Sequence, residues 1–134
     1  MQIVLIIALS LHVLSSVFWA GSSFTLARTG GAGAEALFRP QMGAALVAIV
    51  TGGYLGHLAH EGAFGTAEKI LAAGALAALI AAVVQAAIGG GAIRSLRAGI
   101  ADEAGARSRL ATAQRIAAVL LAVTAVCMGA ARYA

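Results

Sequence analysis

The chain has 134 residues, of which 61% are hydrophobic and only 10% charged, and its mean hydropathy is +0.95. A water-soluble domain of this length has too little interior to hide so much apolar surface, so an ordinary soluble globular protein is excluded. The net charge is +4, but basic and aromatic residues do not interleave as a nucleic-acid-binding face requires, which argues against nucleic acid as a partner. The single cysteine, Cys127, cannot form an internal disulfide.

Four apolar stretches are long enough to cross a bilayer, which takes roughly 20 residues at 1.5 Å per residue. The first stretch has no Lys or Arg before Arg28, unlike a signal peptide, and is expected to remain as a helix. Short connections between the stretches favour antiparallel neighbours. The sequence predicts one all-α domain, residues 1–134, built as an integral membrane antiparallel four-helix bundle with spans over residues 2–27, 40–60, 67–88 and 111–132.

Glycine and proline set the predicted helix ends. The glycine-rich residues 29–33 end the first helix. Pro40, the only proline, suits the first turn of the second helix, where its missing N–H costs nothing. The glycines at 89–91 are expected to stop the third helix. Residues 92–109, which carry several Arg, Asp and Glu side chains, are expected to form a solvated helical extension before the fourth span.

The basic residues are distributed unequally between the two sides of the predicted spans. Only Lys69 and Arg132 lie on the side of the termini. The opposite side carries Arg28, Arg39, Arg94, Arg97, Arg107, Arg109 and Arg115. Because cytoplasmic loops are enriched in Lys and Arg, we expect the arginine-bearing loops in the cytoplasm and both termini outside it.

His12 is the ionisable residue that most needs an explanation, because it lies deep in the first predicted helix. Ser16, Trp19 and Ser23 follow it at offsets of four, seven and eleven, so all four side chains share one helical face. That face is expected to point into the bundle. Two interpretations remain open: a neutral histidine hydrogen-bonded within the protein, and a ligand at a metal or redox site.

His57 and His60 lie three residues apart at the end of the second helix. That spacing can direct two imidazoles towards one site, and neutral imidazole binds haem iron, copper and zinc. Gly53 leaves space beside His57 for a flat macrocycle, and Tyr54 and Trp19 are further candidate cofactor contacts. The competing interpretations are a solvated polar cap for the histidines and helix packing for the glycines.

Lys69 lies in the predicted first turn of the third helix, beside Glu68. A lysine opposes the helix dipole there, so helix stability does not explain it, although extension towards the membrane surface does. Cys127 and Met128 are adjacent on the fourth helix. Their side chains point about 100° apart, which favours lipid-facing or core positions over a shared copper ion.

Several of these residues resemble short motifs of the CopD-like and HemJ-like family of small bacterial membrane proteins. In the first span, Leu11 and His12 are followed, after an interval of six residues, by Trp19, Ala20 and Gly21. The family also has a lysine near the start of a later helix, and Lys69, in the run Glu68, Lys69, Ile70 and Leu71, resembles it. The pairs Arg115–Ile116 and Arg132–Tyr133 also resemble the short four-helix members.

The sequence leaves three functions open, and this resemblance, which also implies a bacterial inner membrane as the location, supports two of them. HemJ-type proteins are protoporphyrinogen oxidases thought to use haem, which would make His12 and Lys69 a functional pair of a membrane oxidoreductase. The first hypothesis is therefore a haem b protein with His12 on one face of the macrocycle and His57 or His60 on the other. CopD-type proteins imply copper binding or transport by the same histidines. The third hypothesis is a non-catalytic membrane subunit. Expected partners besides lipid are a second copy of the chain or a redox protein.

Overall fold

The fold is known from a computed structural model that describes residues 1–60, 62, 64–99 and 102–134. Helices account for most of these residues, and no strand occurs among them. In chain order the helices are α1 (Gln2–Arg28), α2 (Ala34–Ala59), α3 (Thr66–Val84), α4 (Gly90–Ala98) and α5 (Glu103–Ala131), with a π-helical segment, Gln85–Gly89, joining α3 to α4. Within the described residues, four helical spans are long and apolar enough to cross a membrane: α1, α2, the third span Thr66–Ala98, and α5. The all-α four-helix architecture is confirmed.

Helix α2 begins at Ala34, about two turns before the predicted start. Pro40 therefore lies inside the helix, and its placement in the first turn is wrong. Tertiary contacts hold the additional turns: the Arg107 guanidinium donates to the Glu35 carboxylate at 3.0 and 2.5 Å and to the Gly31 carbonyl at 3.0 Å. These contacts offset the backbone hydrogen bond that the proline cannot donate.

The glycines at 89–91 do not end the third span, which corrects the predicted boundary. The helix widens into the π segment, resumes as α4 and ends before Gly99, whose φ of +65° is left-handed. Gly89 and Gly90 are buried, and a Cβ on Gly90 would lie 3.2 Å from Cζ of Phe38. These glycines therefore permit the close approach of an aromatic ring, a role that local propensity does not distinguish from a helix stop.

The predicted solvated extension is helical but not continuous, because α4 ends at Ala98 and α5 begins at Glu103. Most of its described residues are exposed, and Ala92, Ile93 and Ala106 are the buried exceptions. Ile93 on α4 and Leu110 on α5 are buried, and they form a small core with Leu26 and Ala34. This core closes the end of the bundle at which α1 and α4 end and α2 and α5 begin. Residues 100 and 101 of the predicted extension lie outside the described residues.

Helices α3 and α5 approach each other closely through small residues. A Cβ on Gly74 would lie only 2.9 Å from Cβ of Cys127, and the Thr124 hydroxyl donates to the Gly74 carbonyl at 2.9 Å. Small residues allow such approach in lipid, where no hydrophobic force drives helices together. Cys127 thus lies at a helix interface, as the core interpretation predicted.

The four spans are not packed equally against one another. Helix α1 packs extensively on α2 and also on α5, whereas α2 has few contacts with α3 and α4. The central core contains residues of every span: Trp19, Ala45, Ala48, Ala78, Ala81, Ala117 and Leu121. Weak contact between α2 and the third span leaves a groove between them at one end of the bundle.

The two ends of the bundle differ in charge. We call the end at which α2 and α5 begin the arginine end, and the opposite end the histidine end. The arginine end carries seven arginines against Glu35, Asp102 and Glu103. Among the described residues, the histidine end has two basic residues, Lys69 and Arg132, against Glu68. The net positive charge is therefore concentrated at the arginine end.

Candidate functional site

His12 lies near the middle of α1, and its ring contacts α2. Its Nδ1 is 2.9 Å from the carbonyl oxygen of Ala48 and 3.2 Å from Oγ1 of Thr51. The side chain is half-buried, and Ser16, Trp19 and Ser23 on the same face of α1 are half-buried or buried. The prediction that this face points into the bundle is confirmed.

These contacts define the tautomer of His12. A carbonyl oxygen can only accept a hydrogen bond, so Nδ1 must carry the proton. The Thr51 hydroxyl donates its own proton to Val47 O at 2.6 Å and can accept from His12 as well. In the neutral imidazole, Nε2 then keeps its lone pair.

The His12 Nε2 atom is open. It has no hydrogen-bond partner among the described residues. Every buried side-chain nitrogen or oxygen of those residues does have a partner, so Nε2 is not one of the buried atoms. A histidine whose Nδ1–H donates to a backbone carbonyl while Nε2 is free has the arrangement typical of metal-ligating histidines.

Gly52 makes this arrangement possible because the imidazole lies directly on its backbone. A Cβ at position 52 would come within 2.9 Å of Cε1 and 3.3 Å of Nδ1 of His12. Gly53, the next residue, has open space around its Cβ position. The small residue at position 52 therefore serves to hold the histidine ring.

His57 is not close to His12. Five residues separate it from Gly52, which corresponds to about 7.5 Å along α2 and about 140° around it. His57 is exposed on that other face. Tyr54, 38% exposed, is about 200° around α2 from Gly52, and the open position of Gly53 is about 100° around.

His60 links the ends of two helices. Its Nδ1 donates to the Gly56 carbonyl at 2.6 Å, and its Nε2 is 3.5 Å from Oε1 of Glu68. The second oxygen of Glu68 accepts from the backbone N–H of Gly65, as a capping residue does. Both ring nitrogens of His60 thus face protein groups, unlike those of His12.

Lys69 is exposed in the first turn of α3, at the histidine end. Lys69 is about 4.5 Å along α3 from the first residue of that helix. Gly52, which contacts the His12 ring, is about 10 Å along α2 from the last residue of α2. The lysine and His12 are therefore at different depths.

Trp19 belongs to a different group of side chains, deep in the bundle. It is 2% exposed, and its indole N–H donates to Oε1 of Gln85 at 2.6 Å. Gln85 Nε2 in turn donates to Ser23 at 2.8 Å and to Gln114 at 3.0 Å. Gln41 and Gln114 exchange two hydrogen bonds, of 3.1 and 3.0 Å. We call Trp19, Ser23, Gln41, Gln85 and Gln114 the glutamine cluster.

The glutamine cluster was not predicted from the sequence. The cluster is in the half of the bundle nearer the arginine end, with one glutamine from α2, one from the π segment and one from α5. Gln85 interrupts an apolar run, and Gln41 and Gln114 lie within the predicted second and fourth spans. This signal could have identified them, because polar side chains within a membrane span join helices.

The described residues contain no preformed metal centre of several ligands. No group of three or more His, Cys, Asp and Glu side chains that could hold a metal ion occurs among residues 1–60, 62, 64–99 and 102–134. Among the three histidines, His12 has one ring nitrogen oriented by hydrogen bonds and the other without a hydrogen-bond partner in the described residues.

Comparison with known proteins adds no relative: no protein-family model matches the sequence, and neither a curated protein nor a solved structure is significantly similar to it.

Proposed function

We propose that the chain is a membrane haem-binding protein in which His12 supplies an axial ligand. The observation that carries this proposal is the hydrogen bond from His12 Nδ1 to Ala48 O, which leaves Nε2 free and aimed by the protein. A backbone acceptor of this kind fixes ring orientation and raises the basicity of the ligating nitrogen. Haem, when bound, would supply one-electron redox chemistry, while the chain sets its orientation and burial.

His12 is the residue of this chain that fits an axial position best. Gly52 and Ala48 position the ring, and Thr51 provides a second acceptor. His57 and His60 remain predicted ligands for the opposite face of the macrocycle, but their separation from Gly52 makes the proposal depend on His12 alone. Lys69, which the family resemblance pairs with His12, is proposed as a functional residue at the histidine end.

An absorption spectrum of the purified protein tests this proposal. We expect protein expressed with added haem precursor to show a Soret band in detergent. His12→Ala should abolish the band, while His57→Ala and His60→Ala should keep it. If one of these two is the second ligand, its loss should instead convert a low-spin spectrum to high-spin. Colourless wild-type protein, or a His12→Ala variant with an unchanged band, would refute the proposal.

A non-catalytic membrane subunit is the second candidate function. It is favoured by the complete pairing of buried polar atoms in the described residues, since such networks hold helices together without any chemistry. Under this alternative the protein is colourless with or without His12, and His12→Ala changes only the stability of the bundle.

Copper binding is the remaining alternative. It relies on the same histidines, and the described residues offer it no group of three ligating side chains. Elemental analysis of the purified protein separates it from haem binding: copper without haem, lost in His57→Ala, would favour copper.

We further propose that the arginine end faces the bacterial cytoplasm and that both termini lie outside it. Seven arginines at one end against two basic residues at the other support this orientation. In a Cys127→Ala background, a cysteine at exposed Ala98 should be protected from a membrane-impermeant maleimide in intact cells, and one at Ala134 should be labelled. The reverse pattern would invert the topology.

A further inference from the structure

The arginine end contains a groove that neither the histidines nor the glutamine cluster uses. It lies between α2 and the third span and has a volume of about 450 Å³. Its apolar lining comes from Phe38 and Met42 on one side and from Ala86, Gly90 and Ile93 on the other. An open apolar groove between two membrane helices has room for a flexible hydrocarbon chain.

The packing of α2 explains why the groove exists. Phe38 lies over Gly90, where a Cβ would come within 3.2 Å of its ring, so the two spans meet closely at this point. Elsewhere α2 has few contacts with α3 and α4. The groove therefore lies where α2 and the third span are separated, and it is bounded on one side by the contact between Phe38 and Gly90.

Three arginines line the same groove: Arg39, Arg94 and Arg97. All three are exposed. Arg97 donates to the backbone oxygen of Glu35 at 3.3 Å, and no described acidic side chain forms an ion pair with any of the three. The nearby Glu35 carboxylate is held by Arg107. Glu35 also attracts Arg97 electrostatically, but its carboxylate is already paired with Arg107, so the three arginines leave the groove with a net positive charge.

These arginines lie close to the helix ends, where a bilayer around the spans is expected to have its headgroups. Arg39 is five residues from the start of α2 and Arg94 four residues from the end of α4, or about 7.5 and 6 Å along the helices. Long arginine side chains reach from such positions to the membrane surface. The guanidinium groups can then meet phosphates while the apolar lining extends to the level of the acyl chains.

We propose that this groove binds an anionic phospholipid, with its phosphate held by Arg39, Arg94 and Arg97 and an acyl chain along Phe38, Met42 and Ile93. Arginine binds phosphate through paired N–H donors, and basic pockets between membrane helices on the cytoplasmic side bind anionic headgroups. A zwitterionic lipid carries its own cation beside the phosphate, so the net positive charge of the groove selects a lipid of net negative charge. This site is independent of haem and of His12.

Native mass spectrometry of the detergent-purified protein tests the site with phosphatidylglycerol and phosphatidylcholine at equal concentrations. The test variant is Arg39→Gln/Arg94→Gln/Arg97→Gln. The matched control is Arg28→Gln/Arg109→Gln/Arg115→Gln, which removes the same charge from exposed arginines outside the groove. Ala86→Trp, which fills the groove at an exposed position, blocks the acyl chain without changing charge.

We expect wild type to retain phosphatidylglycerol in preference to phosphatidylcholine. The groove variant should bind phosphatidylglycerol about 100-fold more weakly, at roughly fivefold for each arginine, and the control less than about fivefold more weakly. Ala86→Trp should also lose binding while keeping wild-type helicity by circular dichroism. Equal loss in the two triple variants, equal retention of the two lipids, or unchanged binding by Ala86→Trp would each overturn the proposal.

Discussion

The His12 site and the glutamine cluster are both polar groups inside membrane helices, yet they differ in what they leave available. In the cluster, every side-chain polar atom that is buried has a partner within the protein. At His12, one nitrogen is held by α2 and the other is open. A fully paired network contributes cohesion between helices, whereas an oriented group with a free lone pair retains the capacity to bind something else.

The largest effect should come from Gln114→Leu. It removes three interhelical hydrogen bonds and leaves an oxygen of Gln41 unpaired, so we expect the free energy of unfolding in mixed micelles to fall by about 2 kcal/mol. Thr112→Val is the control, because this exposed hydroxyl bonds only within its own helix. Should both variants be equally stable, the cluster does not join the helices.

A smaller loss of stability, about 1 kcal/mol, is expected for His12→Ala. His12→Gln separates the two roles of the residue, because its amide can still donate to Ala48 O but presents no imidazole. We expect Gln to restore part of the stability without restoring any Soret band. A glutamine variant that kept the band would show that the histidine holds helices and does not bind haem.

Gly52→Ala should lower stability by less than about 1 kcal/mol, since the ring it would touch can move. Displacing the imidazole should nevertheless break its bond to Ala48 O. We expect a shifted or weakened haem spectrum, with Gly53→Ala as the matched control because its Cβ would meet open space. Identical spectra for both alanine variants would mean that Gly52 does not position the ligand.

The smallest change is expected for His60→Ala. This residue bonds to its own helix and lies near Glu68 at the surface, and exposed pairs of this kind contribute at most about 1 kcal/mol. Thermal denaturation should therefore differ little from wild type. A large loss of stability would indicate that the contact between α2 and α3 depends on this histidine.

The sequence predicts the number and type of helices well because hydropathy reports burial in lipid directly. Helix ends were less predictable. Pro40 favours a helix start, but Arg107, distant in sequence, holds the helical turns that precede it. The glycines at 89–91 favour a helix end, but Phe38, also distant from them in sequence, packs on Gly90 within a continuing helix. Tertiary contacts of this kind are not encoded in any local pattern.

The candidate site was predictable only in part, and for a related reason. An ionisable residue such as His12 stands out in an apolar helix because its burial is costly. Glutamine carries no charge and its burial costs less, so the sequence does not single out Gln41, Gln85 and Gln114, and only the fold brings them into mutual contact. The spacing of His57 and His60 likewise gave no information about the face of α2 that His12 contacts.

The π segment has a consequence for the phase of the third span. In an uninterrupted α-helix, Ile88 would follow Gln85 by three residues on the same buried face. It is instead 41% exposed, and Gly89 and Gly90 are buried in its place. One additional residue in the turn thus lets Gln85 reach the cluster and, a few residues later, brings a glycine under Phe38 at the edge of the groove. Deleting one residue of the π segment would rotate α4 by about 100° relative to α3 and place the arginines of α4 on a different side of the bundle.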